Sequence, residues 1–174
     1  MTATDTLTVP AFRQNYQRLE DLLGQPIPDL RSGVVYRLRA AGFMDLVAEV
    51  LPQDPGTGAM VLSLCHYFVQ HGDLCQDPEM VVRVFPPRGD RPGLVEALSF
   101  QQAIPPVYQV VYPEPGKVVP RLKRELNAFL ATWLRNLKAQ GHRLVPEIEG
   151  GGANRRPTLD AAPCLVGRAP DSVE

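Results

Sequence analysis

Between residues 10 and 24 the apolar positions of PAFRQNYQRLEDLLG recur at helical spacing, with Phe12, Tyr16, Leu19 and Leu23 on one face. Pro10 suits the opening turn of such a helix and Gly24 the position just past its end. The stretch predicts an amphipathic helix that packs on a core. Residues 25–42 are less regular: QPIPDL reads as a proline-punctuated connection, and VVYRLRAAG fits either a short helix capped by Gly42 or an extended run.

After Gly42 the period changes from about 3.6 to 2. In FMDLVAEVL, Met44, Leu46, Ala48 and Val50 share one face while Asp45 and Glu49 punctuate the other, the pattern of a half-buried strand. MVLSLCHYFVQH, MVVRVF, LVEALSFQ and VYQVVY give four more extended runs, bounded by turn formers such as QDPGTG, PPRGDRPG and AIPP. Their connections are too short for parallel crossovers, so an antiparallel meander of about five strands is expected. The sharpest helical pattern follows in PRLKRELNAFLATWLRNLKAQG, from Pro120 to a stop at Gly141. Leu122, Leu126, Phe129, Leu130, Trp133, Leu134 and Leu137 cover an arc of about 140° there, and Arg121, Arg124, Arg135 and Lys138 lie opposite. On this reading Trp133 and Phe129 are both core residues. Helices segregated from a sheet make the fold class α+β: an antiparallel meander packed by an N-terminal and a C-terminal amphipathic helix.

From residue 146 the periodicity stops, and GGG with scattered prolines offers too little apolar surface to offset chain entropy. The expected organisation is one domain over 1–145 and a disordered or loosely attached tail over 146–174. With 44% hydrophobic residues, the chain is long enough for a single core. No apolar run approaches the roughly 18 residues of a membrane span, and the first residues lack a secretory layout, so a cytoplasmic protein is expected. Three cysteines cannot all pair within one chain, which points to reduced thiols.

The formal net charge of −1 conceals a segregation. Residues 41–115 hold nine acids against three arginines, whereas in residues 116–145 seven bases face Glu125 alone. Opposite fields of this kind either attract a charged partner or neutralise each other within one fold, and the second reading is preferred here.

The densest chemistry lies in CHYFVQHGDLCQDPEM, residues 65–80. On an extended chain Cys65 and His71 point to one face, about 20 Å apart, and His66 points to the other. That spacing separates the thiols from the imidazoles. The stretch therefore reads as a strand with Cys65 in the core, a Gly72–Asp73 corner and an Asp77–Pro78 turn, with Glu79 starting the next strand. No metal, cofactor or catalytic residue is assigned. No phosphate loop, G-x-S-x-G or H-E-x-x-H motif occurs.

His66–Tyr67, Gly72–Asp73–Leu74, Asp77–Pro78–Glu79–Met80 and the closing Phe129–Leu130 with Trp133–Leu134 carry a resemblance over residues 10–142. They resemble a family of small uncharacterised bacterial proteins met on chromosomes, plasmids and phages, a domain of unknown function. The resemblance implies a short α+β protein and supplies no catalytic residue.

Together these features lead to the expectation of a non-enzymatic binding or accessory protein, one serving a mobile genetic element. Its candidate contact residues are His66, His71, Asp73, Asp77 and Glu79 on the acidic turn, and Arg121, Arg124, Arg135 and Lys138 on the basic helix face. A protein is the first partner to consider and nucleic acid, through the basic face, the second; no membrane is expected. The alternative is a small metal-dependent or thiol enzyme using the His66/His71/Asp73 region.

Overall fold

The computed structural model describes residues 3–70 and 73–145, with side chains placed for 9–68 and 75–145. Helix α1 (Ala3–Leu23) leads through a 3-10 turn (Ile27–Asp29) into β1 (Val35–Arg39), β2 (Leu46–Leu51), β3 (Met60–Gln70), β4 (Asp73–Phe85), β5 (Leu94–Gln102) and β6 (Val107–Val110). Helix α2 (Pro120–Ala139) and the short β7 (Arg143–Leu144) close the chain. The seven strands form one sheet in the order β6-β5-β4-β3-β2-β1-β7, antiparallel throughout.

Seven strands replace the five expected, and the two additions have different causes. In β1, Tyr36 and Leu38 turn toward the core while Arg37 and Arg39 turn away; five residues are too few for period 2 to stand out from 3.6. β7 is two residues long and exists only because α2 returns the chain to the free side of β1, where Leu38 meets Leu144.

Both helices bury their apolar faces on one side of the sheet. Leu19, Leu23, Leu130, Leu134 and Leu137 join Leu38, Leu46, Leu62, Leu64, Met80, Val82 and Val95 in a single cluster. Contacts of Phe12 with Lys123, Asn15 with Asn127 and Asp21 with Lys138 show that α1 and α2 run side by side in the same direction. The Asn127 side chain reaches from α2 to accept the Ala97 N–H of β5 at 3.0 Å, which fixes helix against strand. α1 differs from expectation at its start, since Pro10 lies inside the helix instead of opening it. The threonine-rich stretch ahead of Pro10, ATDTLTV, has too few apolar residues to extend the face of Phe12 and Tyr16 and announce the extra turns.

The acidic turn is a strand. β4 begins at Asp73, opposite Gln70, and continues through Asp77–Pro78 to Phe85. The ladder passes from Cys65↔Glu79 to Tyr67↔Gln76, so β4 carries one extra residue opposite His66. A bulge of this kind is where a strand tolerates proline, because the ladder bond is already interrupted. A second irregularity between Val81 and Val82 places the extra residue on β5.

β3 and β4 outrun their neighbours. The β2 ladder ends at Leu46↔His66 and the β5 ladder at Glu79↔Gln101, while β3 and β4 pair onward to Gln70↔Asp73. The hairpin therefore projects about 13 Å past the sheet, four residues at roughly 3.3 Å each. No described helix is long and apolar enough to cross a membrane. The tail expected from residue 146 lies outside the described residues.

Candidate functional site

The strongest convergence of polar and aromatic groups is built by the end of α2. Gly141, in the left-handed region at φ 85°, donates its N–H to Lys138 O, and His142 N donates to Leu137 O at 3.1 Å. This paired C-terminal motif stops the helix and aims the next side chain back across it. The buried imidazole of His142 thereby reaches the β1–β2 turn. Its Nε2 lies 2.9 Å from Met44 O and its Nδ1 3.1 Å from Leu137 O. A carbonyl oxygen only accepts and a neutral imidazole carries one N–H, so the tautomer sets which of these two contacts is the donated hydrogen bond.

His66 grips the same turn from the sheet. It stands on the helix-facing side of β3 beside Leu46, and its Nδ1 lies 2.9 Å from Asp45 O. Two successive carbonyls of one turn are thus held by two buried histidines from different elements. The rings also meet each other: Phe43, His142, His66, Trp133, Phe129 and Phe100 form an unbroken series with centroids 5.2–6.2 Å apart. Such spacing is that of favourable aromatic pairs. Burial pushes His66 below the ordinary histidine value, against the pull of the Asp45 carbonyl.

Several expected residues change place. Cys65 and His66 do point to opposite faces, but it is His66 that enters the helix–sheet core, and Cys65 is buried on the other side. His66 is therefore unavailable as a surface contact. His71 lies outside the described residues, as does the side chain of Asp73. The backbone at Asp73 pairs with Gln70, about 13 Å along the strand from His66. Asp77 is half-buried in the bulge, and Glu79 accepts from Ser63 Oγ at 2.6 Å on the face away from the helices. Asp73, Asp77 and Glu79 thus spread along β4 instead of sharing a corner. Among the described residues no three His, Cys, Asp or Glu side chains gather at metal-binding distance.

On α2, Arg121, Arg124, Arg135 and Lys138 are all exposed. Arg121 pairs with Glu125 at 2.7 Å, Lys138 with Asp21 at 2.8 Å, and Arg135 bonds Thr132 Oγ1. Arg124 and Arg135 have no acidic partner among the described residues. Phe129, read as core, is 40% exposed and stands in the ring series between Trp133 and Phe100. Met44, placed on a strand face by alternation, belongs to the turn.

A second polar cluster joins α2 to the sheet. Glu96, with a side chain only 5% exposed, accepts from Lys123 Nζ at 2.8 Å and Arg83 at 2.9 Å, and Tyr112 donates its hydroxyl to it. Arg83 also reaches Asp54 at 2.8 Å and lies over the rings of Phe85 and Tyr112. Burial alone would raise the Glu96 pKa, but the bonds from Lys123, Tyr112 and Arg83 outweigh it and hold the carboxyl below its usual range. Burial likewise acts against the charge of Lys123, and Glu96 and Tyr112 reverse it upward. Each group is fixed in its resting charge, which suits a brace and not a proton relay. This brace also links the acidic and basic segments of the sequence, through Lys123 and Glu96. Away from both clusters, a cleft of about 650 Å³ opens beside the 3-10 turn, lined by Gln25, Asp29, Arg31 and Tyr36 among others.

Comparison with known families finds one described as a domain of unknown function, DUF6908, matching residues 14–143. The chain belongs to DUF6908. The matched span opens within α1 and ends at Arg143, so it takes in both histidines of the turn and the whole brace. Searches of curated proteins and of solved structures return no match. The fold described above is thus what the DUF6908 segment builds here: two parallel helices on a seven-stranded antiparallel sheet.

Only half of this site is legible in the residue pattern. The stop at Gly141 was legible, and with it the position of His142 just after a helix. That His142 meets Met44, almost a hundred residues earlier, follows from the β1–β7 pairing, which no local pattern announces.

Proposed function

We propose that this DUF6908 chain is a non-enzymatic binding or accessory protein that works in the cytoplasm by contacting another protein. A setting in bacterial mobile elements, implied by the family resemblance, belongs to the same proposal. One observation carries it: Phe43 and Met44, each 50% exposed, stand side by side on a turn whose Met44 and Asp45 carbonyl groups are gripped from within. Protein recognition favours large side chains on backbone that is already ordered, because little freedom is then lost on association. The test is recovery of the tagged chain from its native host beside Phe43→Ala/Met44→Ala. A partner retained by the wild type in fixed ratio and lost from the variant is the expected result; the absence of any stoichiometric partner overturns the proposal.

Nucleic acid is a second reading, favoured by Arg124 and Arg135 on the outer face of α2, which have no acidic partner among the described residues. Binding through them would weaken with salt, and removing both would reduce the slope of log K against log salt by about 1.8. A slope unchanged in Arg124→Ala/Arg135→Ala excludes this face.

A further inference from the structure

We infer that the β1–β2 turn anchors into a partner protein that presents an apolar pocket with an acidic rim; the inference rests on the binding function proposed above and names the chemistry of the partner. Isolated surface hydrophobes are ordinary. Here two large ones are neighbours, and their backbone is unusually constrained. The turn is closed by Phe43 N–H to Ala40 O at 3.2 Å, with Gly42 at φ 79°, a conformation that favours glycine. Met44 O and Asp45 O are then fixed by His142 and His66, and the Phe43 ring packs against His142 at 6.2 Å. Two of the chain's three histidines are thus buried to hold one exposed turn. A pre-ordered Phe–Met pair of this kind has the character of a hot spot: one side chain rigid and aromatic, the other adaptable.

The charges around the pair select the rim. Arg37 and Arg39 share a single carboxylate, Asp45, at 3.2 and 3.1 Å. Arg143 stands directly opposite Arg39 across the β1–β7 ladder and has no acidic partner among the described residues. Like charges at directly opposed positions repel. Glu49 shares this sheet face opposite Val35, so three arginines stand against two acids; an excess of positive charge remains beside the apolar pair, and partner carboxylates would relieve it while the pocket takes Phe43 and Met44. Charge complementarity of this kind sets orientation and association rate. A nucleic acid would satisfy the arginines but offers no pocket for the Met44 thioether, which favours the protein.

The probes are two displayed peptide libraries panned on the purified full-length chain, one mixing Leu and Phe with Asp and Glu, the other with Lys and Arg in place of the acids. Enrichment from the acidic library alone is expected. A synthetic peptide of an enriched sequence, measured by calorimetry, should bind roughly thirtyfold or more weakly to Phe43→Ala or Met44→Ala. Arg39→Gln/Arg143→Gln should weaken it too and flatten its salt dependence, with thermal midpoints near the wild type throughout. Equal enrichment of the basic library, or affinity for Phe43→Ala within about twofold of wild type, overturns the inference. So does loss, on Phe43→Ala, of self-association, of binding to a fluorescent single-stranded oligonucleotide, or of binding to phosphatidylglycerol vesicles, each of which gives the turn another occupant. A host partner that binds Phe43→Ala undiminished leaves the binding function standing and removes this site alone. Failure to recover any partner or peptide removes both.

Discussion

At His66 the sign of the pKa shift sets how the fold responds to acid. Burial lowers the folded-state value, so the unfolded chain takes up the proton first, near pH 6.5. The stability contributed by the neutral ring is therefore complete above about pH 6.5 and is lost as pH falls through the lower folded value. The urea midpoint should fall further between about pH 7.5 and 5 in the wild type than in His66→Asn, whose amide still donates and does not titrate. Equal falls would remove His66 from the account. Gly93 poses a steric version of the same test. A Cβ there would meet the buried Tyr16 ring at 2.6 Å, and Tyr16 is held by its bond to Glu20. Gly93→Ala should cost about 1–3 kcal/mol by chemical denaturation, with relief when Tyr16 is made smaller. Neither residue advertised its role: the neighbours that matter to each come from another element.

Between elements, the α2–β5 contact concentrates the consequences. Asn127 bonds the Ala97 N–H, lies within reach of Asn15, and donates to Lys123 O one turn back. Asn127→Leu leaves a buried backbone donor without its acceptor and should cost about 1–3 kcal/mol. Glu96→Ala should be worse, about 3–5 kcal/mol, because Lys123 and Arg83 keep their charges in partly buried positions. Pairing Glu96→Leu with Lys123→Met should recover part of that loss, and a double-mutant cycle in urea measures how much. The folded Glu96 carboxyl titrates below its usual range, so the brace acts above about pH 4.3 and fails as pH drops through the folded value. α2 was the best-read element of the chain, with its opening proline, its stop and most of its apolar arc visible in the spacing. Its polar insert, Asn127, was not, because a lone asparagine in a helix has the same appearance whether it meets water or a strand.

For the molecule as a whole, what could be read locally was the class of fold and the order of its elements; what could not was set by pairing over long separations. Leu62, Leu64 and His66 alternate in the sequence as they do in space, but the length of β4 was hidden by Asp77–Pro78, a pair that signals a turn in most contexts. The site at Phe43 and Met44 was obscured for a related reason, since apolar residues beside a strand look like part of it. The bulge opposite His66 has one more implication. The surplus residue lets the ladder resume with Gln76 facing Tyr67, so each side chain nearer the hairpin tip keeps the flank that the unbroken alternation of β3 assigns it. A relative lacking that one residue would retain those flanks and lose only the local kink, so two such sequences need a single gap here for their columns to be equivalents in three dimensions.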